Sequence, residues 1–156
     1  MFRFYDDELH NLILVSDRNF KEIIDYTANY DFHPPLQYLI NKITLQLFGL
    51  NEFWLSLPSI LFVFISIVLA GRIVFHLTGS IKYSLISGFI IALNPLILLW
   101  GSSIRWYPFW TFFAVTSIYL YMVLLEQQEK VKIIFLRSIL IISLSLALYT
   151  NYQTII

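Results

Sequence analysis

An all-α, polytopic integral membrane fold is what the sequence predicts, and three observations carry that expectation. Hydrophobic residues make up 58% of the chain and charged residues only 13%, too apolar for an average soluble domain. The apolar material comes in successive runs, each long enough to match the hydrocarbon layer of a bilayer. Charge is also divided along the chain. Residues 1–52 hold eight of the ten acids against four Lys or Arg, whereas residues 53–156 hold two acids and six bases. A formal charge near zero therefore hides an acidic head and a basic body.

Residues 1–52 are expected to form an acidic outer-face loop with an interfacial helix. That helix is Pro34 to Leu50, with two prolines in its first turn, where missing N–H groups are tolerated. Asn41, Lys42, Thr44 and Gln46 make it a poor central span, so it is placed at the membrane edge, with Gly49 ending it. Residues 53–156 should supply about four transmembrane helices. Trp54 to about Phe75 is the clearest, with Pro58 in its first turns and Arg72 and His76 at its far end. Tyr83 to Trp100 is the next, bent at Asn94-Pro95. Pro108 to about Leu125 is the third. A charged turn from Glu126 to Lys132 leads to the last, Ile133 to Tyr149, where Arg137 can snorkel to the surface.

Counting these spans puts Arg72, Lys82, Lys130, Lys132 and Arg137 on one side, which the positive-inside rule makes cytoplasmic. Arg105 and the acidic head then face out, and the chain returns to the outer face near Asn151. Several function classes drop away. There is no cysteine, hence no disulfide, thiol catalysis or Cys-ligated metal. Asp6, Asp7 and Glu8 stand where a signal peptide would need an apolar core. Few ionisable residues lie in the span centres, which argues against an ion-coupled carrier. No nucleic-acid partner is expected.

Asp7 and Glu8 are the leading acid–base candidates, with Asp6 as their adjacent competitor. A carboxylate near a low-dielectric surface can accept a proton from an attacking hydroxyl or hold a divalent cation. A merely solvated N-terminus is the plain alternative. Asp31 and His33 precede a double proline that limits the local backbone, so a rigid turn could hold carboxylate and imidazole over the membrane face. On the residues alone a helix entrance, with Asp31 or His33 in a local cap, is the favoured reading. Arg105 lies in the short outer loop before Trp106-Tyr107-Pro108. Its guanidinium suits a phosphate, with Tyr107 flanking a lipid or a sugar, although interfacial anchoring also uses such aromatics. Tyr149 and Asn151 end the last span and could line a polar cavity or simply finish a helix.

In order and spacing these motifs resemble the GT-C superfamily of membrane glycosyltransferases. The nearest branch is the dolichyl-phosphate-mannose protein mannosyltransferase type, which includes bacterial lipid-A aminoarabinose transferases. Asp7-Glu8 falls where that group carries an Asp-Glu pair. His33-Pro34-Pro35-Leu36, Leu47-Phe48-Gly49 and Leu57-Pro58-Ser59 resemble its HPPL, LFG and RLPS elements, although the arginine of RLPS is replaced by Ser56. Leu93-Asn94-Pro95, Arg105-Trp106-Tyr107 and Tyr149-Thr150-Asn151-Tyr152 are similar to further family stretches, with Asn151 where bacterial relatives often have His.

The resemblance implies an inverting transfer of a hexosyl or pentosyl group from a polyprenyl-phosphate or dolichyl-phosphate donor to a hydroxyl of a lipid, glycan or protein acceptor. Asp7 would be the general base, and Glu8 would assist positioning or bind a divalent cation. Arg105 would contact the donor phosphate, with the lipid chain between helices. It further implies a bacterial or archaeal plasma membrane location with the head outside. It also implies that the chain corresponds to the N-terminal half of a catalytic module. The different class kept beside it is a small non-catalytic membrane protein that binds polyprenyl lipid or partner membrane subunits.

Overall fold

The computed structural model describes the backbone of residues 6–31 and 33–151 and, from residue 8 on, their side chains. Among the described residues every regular element is a helix: α1 Asp6–Asp17, α2 Phe20–Tyr30, α3 Leu36–Phe48, α4 Glu52–Thr78, α5 Ile81–Ala92, α6 Pro95–Trp100, α7 Trp106–Glu126 and α8 Lys130–Leu148. The protein is an all-α polytopic membrane protein, as its composition demands.

The head differs most from expectation. In place of a loop before α3, two further helices form, and local chemistry explains the second. Asn19 accepts from the Glu22 N–H at 3.0 Å while Glu22 Oε2 accepts from the Asn19 N–H at 2.8 Å, a reciprocal cap at the start of α2. α3 then begins behind Pro34-Pro35 and ends at Gly49, whose φ of 72° is open to glycine at little cost. Of its polar residues Gln46 is exposed, but the others do not face water. Asn41, Lys42 and Thr44 are buried, and Lys42 Nζ donates to the Val15 carbonyl at 2.8 Å and the Ser16 carbonyl at 3.4 Å. An ammonium at the C-terminal carbonyls of α1 is favoured by the helix dipole, which makes this buried lysine tolerable. Leu14, Val15, Ile23 and Tyr38 close a small core between the head helices.

In the body, α4, α7 and α8 are long and apolar enough to cross a membrane. The expected span from Tyr83 to Trp100 is split instead. α5 stops at Ala92, and Asn94 caps a new short helix through the Leu96 N–H at 2.9 Å, with Pro95 in its first turn. α4 and α7 run parallel. The Phe62 ring of α4 sits 5.0 Å from Phe109 and 4.7 Å from Phe112, and His76 near the end of α4 meets Glu126 at the end of α7 at 3.0 Å. α8 returns antiparallel, with Ser143 Oγ donating to the Phe113 carbonyl at 3.1 Å and Ser117 Oγ donating to Ser143 Oγ at 3.0 Å. α5 lies so close to α4 that Ser84 Oγ reaches the Gly71 carbonyl at 2.8 Å. Small residues and hydroxyls are what hold helices together where apolar burial discriminates little.

This arrangement gathers Arg72, Lys82, Lys130 and Lys132 toward one end of the bundle. The head and the turn carrying Arg105 occupy the other.

Candidate active site

A polar cavity of about 260 Å³ opens where the head meets the start of α7, lined by His10, Asn11, Tyr26, Tyr30, Asp31, His33, Tyr38 and Arg105. Asp31 is its most engaged group. It caps the C-terminus of α2 in extended conformation and accepts from the His33 N–H at 3.0 Å, His33 Nδ1 at 3.2 Å and the Tyr38 hydroxyl at 2.7 Å. The tautomer that donates Nδ1–H to Asp31 leaves His33 Nε2 as an acceptor. The His33 ring is further fixed by stacking on Trp106, with centroids 5.7 Å apart.

Burial pushes the Asp31 carboxyl upward, but the hydrogen bonds from His33 and Tyr38 outweigh it and hold the pKa at about 2, against an ordinary 3.8. Tyr38 is shifted the other way: burial and the adjacent Asp31 charge raise its hydroxyl well above the usual range. Asp31 therefore stabilises the folded head above pH 3.8, and that contribution is lost as pH falls through about 2. Because the site is partly solvated, the loss is expected to be only about 1 kcal/mol. An acid titration followed by tyrosine fluorescence should show it, and Asp31→Asn should flatten the curve in that window.

Arg105 occupies the N-cap position of α7. Its guanidinium carbon stands 5.2 Å from the Tyr107 ring centroid, and its charge reaches Tyr38 across the cavity. The backbone before it is held by an unusual set of side chains. Glu8 Oε1 accepts the Ile104 N–H at 3.0 Å. The Ile104 carbonyl accepts from Asn11 Nδ2 at 3.4 Å, from Asn41 Nδ2 at 3.2 Å and from Gln37 Nε2. One residue earlier, the Ser103 carbonyl accepts from Ser59 Oγ at 2.6 Å. Each of these side chains is more than nine-tenths buried.

Of the residues singled out from sequence, Asp31, His33 and Arg105 come together in the cavity. Glu8 lies beside it, buried against the Arg105 turn rather than solvated. Asp7 is in the first turn of α1, and its side chain lies outside the described residues. Tyr107 backs the site from outside, its ring 4.1 Å from Trp106 and 5.7 Å from Trp100. Tyr149 and Asn151 are not in the cavity lining. The Tyr149 carbonyl accepts the Leu36 N–H at 3.4 Å, and Asn151 is buried at the end of α8, so this stretch ties α8 to the start of α3.

The lining residues that sequence reasoning missed are His10, Asn11, Tyr26, Tyr30 and Tyr38. Tyr26 and Tyr30 do carry a signal, being one helical turn apart on α2. Gln37 and Asn41, also one turn apart in an apolar helix, signal a buried polar partner. Among the described residues no group of three His, Asp or Glu is placed as a metal site would need.

A second groove, of about 450 Å³ and almost wholly apolar, lies between α3 and α4, lined by residues such as Ile40, Phe48, Trp54, Leu57 and Leu61. The family model for dolichyl-phosphate-mannose-protein mannosyltransferase covers residues 8–155. The chain belongs to that family. Membership makes it a glycosyltransferase-type integral membrane protein, in keeping with the three membrane-capable helices. The match begins at Glu8, one residue after Asp7. No curated protein and no solved structure matches the chain.

Proposed function

We propose that the chain takes part in moving a hexosyl or pentosyl group from a polyprenyl-phosphate or dolichyl-phosphate donor to an acceptor hydroxyl on a lipid, glycan or protein. The observation that carries this reading is the meeting of Arg105 with Asp31, His33 and Tyr38 in one polar cavity at the head end of a membrane bundle. In this reading the acceptor oxygen attacks the anomeric carbon and the bond from that carbon to the phosphate oxygen breaks. The electron pair leaves with the polyprenyl phosphate, the acceptor proton passes to the Asp7 carboxylate, and configuration inverts. Glu8 assists by holding the turn that carries Arg105.

The charge argument favours Arg105 as the phosphate contact. The donor phosphodiester carries one negative charge and the departing monoester gains more. A fixed cation therefore binds the transition state better than the ground state. Tyr107 supports the guanidinium from behind, and His33 offers Nε2 to a sugar hydroxyl. Tyr149 and Asn151 act indirectly, through the placement of α3. The apolar groove between α3 and α4 suits an isoprenoid chain. The cavity faces the extracytoplasmic side of a bacterial or archaeal plasma membrane, since the basic ends of the helices favour the cytoplasm.

The test is a transfer assay in proteoliposomes with a polyprenyl-phosphate sugar labelled in the sugar. Release of polyprenyl phosphate with labelled acceptor product supports the reading. Donor binding with no turnover on any acceptor class would instead favour a non-catalytic lipid-binding protein.

A further inference from the structure

Two consecutive peptide planes immediately before Arg105 are pinned by side chains from three different helices. A peptide unit is planar, so fixing its oxygen and nitrogen fixes the α-carbons at both ends. The Ser103–Ile104 unit is held at its carbonyl by Ser59 of α4 and at its N–H by Glu8 of α1. The Ile104–Arg105 unit is held at its carbonyl by Asn11 of α1 and by Gln37 and Asn41 of α3. One hydrogen bond would satisfy that buried carbonyl, yet three carboxamides converge on it. Burying that many polar groups in apolar helices is costly if the only purpose is to close a turn. What the arrangement adds is a fixed Arg105 α-carbon, leaving only the side-chain torsions free.

We infer that Gln37, Asn41 and Ser59, together with Asn11 and Glu8, form a backbone clamp that positions Arg105 for an anionic phosphate. They are positioning residues, and the inference rests on the reading of Arg105 as the phosphate contact. Gln37, Asn41 and Ser59 do not line the cavity, so their effect on a ligand must pass through the clamped turn. Small misplacements of a binding group weaken the step it serves steeply, which is why such support matters.

The experiment compares binding of farnesyl phosphate and of farnesol by the full chain in nanodiscs. Gln37→Met and Asn41→Leu should weaken farnesyl phosphate on the order of tenfold and leave farnesol unchanged. In an Arg105→Ala background neither should weaken phosphate binding further, because coupled residues are non-additive. Ser59→Ala, the least disruptive change, should show the same pattern at smaller size. Equal loss of both ligands would reduce the clamp to scaffolding and overturn the inference. So would additive losses in the Arg105→Ala background, or an unchanged phosphate preference in the clamp variants while Arg105→Ala loses it. If Arg105→Ala itself keeps the preference, the phosphate role of Arg105 falls and the clamp has nothing to position.

Discussion

Replacing Arg105 by alanine should lower donor kcat/KM by about 10²- to 10³-fold, the usual effect of removing one preorganised group that stabilises developing charge. The loss should fall mainly on kcat, because the phosphate gains charge as the sugar leaves and Arg105 senses that gain. Arg105→Lys should recover only part of the activity. An ammonium keeps the charge but loses the planar, two-pronged hydrogen bonding of the guanidinium, and it stacks less well on Tyr107. Steady-state kinetics over a range of donor concentrations decides the matter. Unchanged donor dependence in Arg105→Ala would remove the phosphate contact from the proposed mechanism.

Asp7→Asn should reduce turnover by roughly 10²- to 10⁴-fold while membrane insertion and donor binding persist. The substitution keeps the shape and polarity of the side chain and removes only its ability to take a proton. Turnover equal to wild type would exclude Asp7 as the base. His33 would then be the next group to test, since its Nδ1 lies 3.2 Å from Asp31 Oδ1 and the tautomer that donates there leaves Nε2 as an acceptor.

Much of this protein was legible before its folding was known, and the reasons differ from element to element. The helices α4, α7 and α8 are declared by long apolar runs with charges only near their ends, because a bilayer leaves no other solution for backbone polar groups. The break between α5 and α6 was foreseen as a bend at Asn94-Pro95. Its completeness was not, because a proline in a helical run can kink or end it depending on what packs nearby. α1 and α2 escape a reading of the sequence because their apolar faces are short and interleaved with acids, and it is their contacts with α3, with Leu55 of α4 and with Ile104 that make them worthwhile. The carboxamide of Asn41 reads in the sequence as membrane-edge polarity, and in the fold it joins Gln37 in a buried grip on Ile104.

The sequence by itself determined the membrane, the helical class, the separation of an acidic head from a basic body, and the family. Each follows from composition, run length or motif order, quantities that local chain chemistry controls. Only the tertiary structure decided that Asp31, His33, Tyr38 and Arg105 share one cavity and that Glu8 faces the backbone of Ile104 across the head. Those meetings depend on how α1, α3, α4 and α7 pack. Contacts spanning up to 96 positions are set by helix packing, which no short-range pattern encodes.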